Sequence, residues 1–174
     1  MGAREVTVAV ADAGPLIHLH EAGSLSLLEL FSSLHVPSEV WRETVGQRRV
    51  PERALLDLGV HRGPILDDLA TFVAMHGLDS LHPGEQECLG LCYRNHIAIL
   101  LTDDLAAREA AKRLAITPVG SLGVIVRAYH IGRISLEQAE RTLRLVQTNS
   151  SLFVTSTIID LVLEQLHRIG QAPM

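Results

Sequence analysis

Four acidic points stand where carboxylates can do chemistry together: Asp12, Glu43, Glu85 and the adjacent pair Asp103–Asp104. Asp12 directly follows the apolar run 6–11, and the pair follows Ile97-Ala98-Ile99-Leu100-Leu101-Thr102. Glu43 and Glu85 lie in segments that read as helices. Each acid alone has an ordinary use as a helix cap, a solvated face or a partner for a helix dipole. Gathered at one place, several carboxylates stay ionised only when cations or protons neutralise them. An all-oxygen donor set favours Mg2+ or Mn2+ over zinc. A pair of such ions about 4 Å apart can activate water and stabilise the leaving oxygen of a phosphodiester.

The elements that must position these acids follow from the apolar pattern. Five apolar residues in a row, Ile97–Leu101, suit a strand buried on both faces, as in a parallel sheet. The alanine-rich segment Leu105–Leu114 then reads as helix, so two carboxylates sit between a strand end and a helix start. In open α/β sheets, ligands bind just outside the carboxyl ends of the strands. The run 6–11 repeats this arrangement, with Pro15 suited to the first helical turn. A short helix is expected at Leu25–Phe31, a strand at Leu34–Val36, and a helix at Ser38–Thr44, which would place Glu39 and Glu43 on one face. Further helices are expected over 51–58, 69–75, 85–95, 122–131, 136–147 and 156–169, with short strands at Ile65-Leu66 and Ile116–Val119. Strands alternating with helices imply a three-layer α/β/α fold around a mostly parallel sheet of four to five strands. The whole chain, 1–174, reads as a single domain with an α/β core over 1–132 and a C-terminal helical extension over 133–169.

Composition narrows the function classes. With 47% hydrophobic and 20% charged residues the chain is not of the disordered class. Its net charge of -5 argues against a broadly basic nucleic-acid surface, but not against a nuclease whose acids are offset by bound cations. No apolar run reaches membrane-span length and no signal-peptide pattern opens the chain, so a cytoplasmic protein with no membrane partner is expected. Cys88 and Cys92 fit neither a disulfide framework nor a zinc pattern and read as reduced core thiols. The nine histidines form no metal-ligand pattern and are read as non-ligands. Arg48, Arg49 and Arg53 form a basic loop that either guides a nucleic acid electrostatically or is merely solvated.

The acids lie in strings that resemble a known family. Val10-Ala11-Asp12-Ala13-Gly14-Pro15-Leu16-Ile17 is similar to the first motif of PIN domains, the VapC-like ribonucleases. Val36-Pro37-Ser38-Glu39-Val40-Trp41-Arg42-Glu43 is similar to their second, Pro83-Gly84-Glu85-Gln86-Glu87 to their third, and Leu101-Thr102-Asp103-Asp104 to their fourth. Gly120-Ser121-Leu122-Gly123 and the helical tail resemble one prokaryotic branch, the DUF3368 group.

The resemblance implies a metal-dependent endoribonuclease cutting RNA by in-line attack of water to leave 5′-phosphate and 3′-hydroxyl ends. It also implies the toxin of a type II toxin–antitoxin pair, with a small antitoxin as partner. Carried over residue by residue, it assigns Asp12, Glu43, Glu85 and Asp104 as catalytic, metal-binding acids. Asp103 is an alternate metal ligand or an outer acid, and Glu87 the fallback for Glu85. Ala13 stands where many PIN domains carry Ser or Thr, which leaves Thr102 and Ser121 as candidate replacements for that hydroxyl. Arg108, one helical turn after Asp104, is expected to pair with it or to touch substrate phosphate. The apolar helices 25–31 and 156–167 point to a homodimer. Competing readings are a non-catalytic PIN-fold interaction module, a structure-specific DNA nuclease, and a phosphatase of another α/β family. The phosphatase would need an Asp-x-Asp motif that Gly14 breaks.

Overall fold

The computed structural model describes residues 7–171. Its centre is a five-stranded, all-parallel sheet in the order β3-β2-β1-β4-β5. The strands are β1 (Val8–Ala11), β2 (Ser33–Val36), β3 (His61–Arg62), β4 (Ile99–Leu101) and β5 (Thr117–Val119). Val6, expected in the first strand, lies outside the described residues. Val10, Ala11, Leu100 and Leu101 are fully buried, as an apolar strand covered on both faces requires. Burying each leucine side chain contributes about 2 kcal/mol.

Helices cover both faces, which makes the fold three-layered. On one face α1 (Ala13–Glu21) packs against α7 (Ser121–His130) and α8 (Leu136–Asn149), and α9 (Ser156–Gln171) packs on α7 and α8. On the other face α5 (Pro83–Arg94) crosses β1 and β4 and packs on α2 (Ser38–Trp41) and α4 (Leu69–His76). Two further helices, α3 (Glu52–Asp57) and α6 (Leu105–Arg113), complete the set among the described residues. Cys88 and Cys92 are buried free thiols on α5.

Three elements differ from expectation. The strand expected at Ile65-Leu66 forms instead at His61–Arg62. Both residues of β3 are exposed and polar, so no apolar pattern marks an edge strand of this kind. Leu25–Leu30 is a 3-10 helix rather than an α-helix. The helix expected over 38–44 stops being α-helical at Trp41 and continues as a π-helix, Arg42–Gly46. Glu39 is ion-paired with Arg42, while Glu43, near enough for the charge of Glu39 to act on it, lines the cleft. Hydrophobic spacing records the period of a helix only coarsely, and a single π turn escapes it.

The strand order locates the site. From β1 the chain moves outward to β2 and β3, then returns past β1 to β4 and β5. The direction of winding thus reverses between β1 and β4. A crevice opens at such a switch point, outside the carboxyl ends of the two strands. Asp12 follows β1, and Thr102, Asp103 and Asp104 follow β4.

Candidate active site

At the switch point lies a cleft of about 440 Å³ lined by Asp12, Glu43, Glu85, Asp103 and Asp104, with His18, His82 and Arg49 among the remaining walls. Four separate chain segments bring these acids together. Asp12 caps α1 and accepts the Ala13 N–H at 2.7 Å on Oδ1. Asp104 caps α6 and accepts the Ala107 N–H at 2.8 Å on Oδ1. Glu85 closes a capping box at the start of α5, where its Oε2 accepts the His82 N–H at 3.0 Å. Glu43 leans from the π-helix against Gly84, whose missing side chain leaves it room: a Cβ there would stand 3.2 Å from Glu43 Oε2.

The capping role and the site role coincide at Asp12 and Asp104. A cap fixes a carboxylate at a helix N-terminus, where the partial positive charge favours its ionised form. Oδ2 of Asp104, Oε1 of Glu85 and both oxygens of Glu43 have no hydrogen-bond partner among the described residues. None of these four acids forms an ion pair with a described basic side chain.

Their electrostatics reflect that crowding. Burial raises the Asp12 carboxyl above its ordinary pKa, and the negative charges of Asp104 and Asp103 raise it further against the hydrogen bonds from Ala13 and Thr102. Burial and then the charge of Asp12 raise Glu43. Glu85 is pushed up to about 6, chiefly by burial, with Asp104 and Asp12 adding to it. Burial is the leading cause at all three, and neighbouring carboxylates add to it.

Asp103 is different. Its Oδ2 stands 2.7 Å from His18 Nδ1 and accepts the Ser121 hydroxyl at 2.6 Å, while Oδ1 accepts the Ser121 N–H at 2.7 Å. Burial acts to raise this carboxyl, but the bonds from His18 and Ser121 outweigh it and hold the pKa below the ordinary range. Asp103 is thus tied to α1 and α7, leaving Asp104 as the acid of the pair with a free oxygen. Ser121 serves Asp103, not Asp12. The hydroxyl that reaches Asp12 is that of Thr102, which donates to Oδ2 at 3.0 Å and accepts the Asp104 N–H at 3.2 Å.

Two further residues take other partners than expected. Glu87 accepts the Glu39 N–H at 2.8 Å and so caps the start of α2 instead of lining the cleft. Arg108 donates to the Thr102 carbonyl at 3.2 Å and makes no ion pair with Asp104 among the described residues. The spacing of four places Arg108 over the end of β4 rather than over the Asp104 side chain. His18 is the residue that sequence reasoning passed over. One cue was present, since His18 and His20 face opposite sides of α1, but nothing local showed that Asp103 waits on one of them.

The donor set suits a hard divalent cation, being oxygen-only and short of positive charge. In the side-chain positions found, no group of three described acids, histidines or cysteines is arranged to hold one ion. Each of Asp12, Asp104 and Glu85 turns at least one oxygen to a backbone N–H.

No curated protein matches the chain. No described helix is long and apolar enough to cross a membrane. The family model DUF3368, a PIN domain, matches residues 8–168, a span that holds every acid of the cleft. With the parallel sheet, the switch-point cleft and that match together, the chain belongs to the DUF3368 family of PIN domains, a nuclease-type fold.

Proposed function

We propose that this protein is a Mg2+- or Mn2+-dependent endoribonuclease that hydrolyses RNA phosphodiester bonds. One observation carries the reading: Asp12, Glu43, Glu85 and Asp104, from four chain segments, line one cleft, the last three with unpartnered oxygens, and none of the four is ion-paired with a described basic side chain. A non-catalytic interaction module has no need to hold three carboxyls above their ordinary pKa values.

In this reading the four acids hold the cation, with Asp103 outside the set. The bound ion supplies Lewis acidity and offsets charge at the phosphodiester. The protein's part is positioning. Thr102 links Asp12 to the backbone of Asp104, which couples the two strand-end acids. Asp103, Ser121 and His18 lock α1 and α7 against the end of β4, so the cleft wall cannot spread. Gly84 and the π-helix bring Glu43 close to the start of α5.

The wider reading is that the nuclease is the toxin of a type II pair, acting in the cytoplasm as a homodimer and restrained by a small antitoxin. The test is direct. The purified chain is incubated with single-stranded RNA and, in parallel, with flap DNA, in Mg2+, Mn2+ or EDTA. Cleavage of RNA in the divalent ions alone, lost in Asp12→Asn, is the expected result. Undiminished cleavage by Asp12→Asn, or none by the native chain, would falsify it. Growth arrest on expression, relieved by a small neighbouring open reading frame, tests the toxin role.

A further inference from the structure

The cleft has one arginine among its walls, Arg49, and that arginine is not spent on the acids. Its Nη2 donates to Glu21 Oε1 at 3.1 Å and stands 3.3 Å from Ser151 Oγ. Glu21 also accepts the Ser151 hydroxyl at 2.8 Å and the Ser151 N–H. These bonds tie the end of α1, the loop after the π-helix and the loop between α8 and α9 together at the rim of the cleft. Arginine has five N–H donors in a rigid fork. Nε and Nη1 of Arg49 have no partner among the described residues, and the side chain is 44% exposed.

The backbone holds this arginine in place with some strain. Arg48 sits in the left-handed region with φ 57, a conformation costing a non-glycine residue about 1 kcal/mol. The turn is pinned on both sides: the Arg49 and Val50 N–H groups both donate to the carbonyl of buried Thr44, at 2.8 and 3.2 Å, and Val50 is itself buried. The same segment carries Glu43 on a π-helix. Unusual backbone of this sort gathers at functional sites, and here two instances flank one cleft wall.

An acidic cleft repels a polyanion. A fixed guanidinium at its rim, oriented by Glu21 and Ser151 and holding spare donors, is a phosphate receptor in chemistry and geometry. We propose that Arg49 is the phosphate-positioning residue of this cleft, engaging a backbone phosphate of single-stranded RNA beside the one that is cleaved. The proposal rests on the nuclease reading above and adds the residue that sets substrate register.

The test uses the full chain and a fluorescein-labelled single-stranded RNA. In Mn2+ kinetics, Arg49→Ala is expected to raise KM about tenfold while kcat changes less than about threefold, and Arg49→Lys to recover part of the loss. By fluorescence anisotropy in the Asp12→Asn background, Arg49→Ala is expected to lower the slope of log affinity against log salt by about 1. Glu21→Gln removes the carboxylate charge but keeps an acceptor oxygen for Arg49 and leaves the guanidinium in place, and is expected to retain most of the RNA affinity. A fall in kcat with unchanged KM, or Glu21→Gln losing as much as Arg49→Ala, overturns the proposal in favour of a structural tie. If the native chain cuts no RNA, the nuclease reading fails, and the anisotropy arm decides alone: binding that depends on Arg49 with the stated salt slope supports the contact, and binding indifferent to Arg49, or none, rejects it.

Discussion

The hydroxyl of Thr102 donates to the carboxylate of Asp12 at 3.0 Å across a sequence separation of 90 residues, and it accepts the Asp104 N–H as well. One fully buried side chain thus bridges the carboxyl ends of β1 and β4. Thr102→Val keeps the shape but leaves a buried carboxylate oxygen and an amide without their partner. We expect a stability loss of about 2 kcal/mol and a drop in cleavage beyond tenfold, with Thr102→Ser largely normal. Urea unfolding curves and RNA cleavage rates check both; a Thr102→Val protein with native activity would remove Thr102 from the site.

Asp103 and Asp104 are adjacent yet separable. Asp104→Asn keeps an equally good helix cap, so it should alter stability by less than about 0.5 kcal/mol while abolishing cleavage. Asp103→Ala strips partners from His18 and from both Ser121 donors, and should cost about 3 kcal/mol. Thermal melts beside activity assays distinguish the two. Equal destabilisation by both variants would contradict this division of labour.

Glu85 makes stability depend on pH. Its folded pKa of about 6 lies above its ordinary 4.5. Between those values the folded state retains a proton that the unfolded chain has released, so stability falls as pH rises through this window and the penalty is complete above it. Without divalent cation, the melting temperature of the native protein should fall relative to that of Glu85→Gln between pH 5 and pH 7; the comparison with the variant cancels His35, whose pKa burial and the charge of His61 hold below its ordinary value and which acts with the opposite sign in the same window. Asp103 acts with the opposite sign, but its contribution fades only as pH falls below about 3.8, outside the window. Added Mn2+ should raise the melting temperature more at pH 7 than at pH 5, because the ion displaces the Glu85 proton. Identical pH profiles for native protein and Glu85→Gln would show that burial does not perturb this carboxyl.

Gly84 guards the space of Glu43. An alanine there would bring Cβ within 3.2 Å of Glu43 Oε2 and 3.3 Å of Val40 Cγ2. Alanine also favours the helix by close to 1 kcal/mol, so Gly84→Ala should fold with near-native stability and bind Mn2+ several-fold more weakly. Calorimetric titration reads the affinity; unchanged binding would mean that Glu43 lies outside the ion's reach.

Local pattern carried much of the fold. Apolar runs marked β1 and β4, the alanine-rich stretch marked α6, and alternation of strands and helices required parallel pairing with crossovers. The same pattern missed β3, because two exposed residues on a sheet edge bury nothing that a sequence could advertise. It also missed the π turn at 42–46, since a change from 3.6 residues per turn over one turn moves no apolar residue out of register far enough to notice.

For the site, residue type and position raised Asp12, Glu43, Glu85 and the undivided pair Asp103–Asp104 as candidates, because strand-end and helix-start chemistry is local, and only the family resemblance preferred Asp104 within the pair. What only tertiary structure decided was the choice of partners. Glu87 went to the Glu39 amide, Ser121 and His18 went to Asp103, and Arg49 was turned toward Glu21 and Ser151 at the cleft rim. Hydrogen bonds and ion pairs act over about 3 Å whatever the distance along the chain, so they are settled by how helices pack on the sheet and not by the order of residues within any one of them.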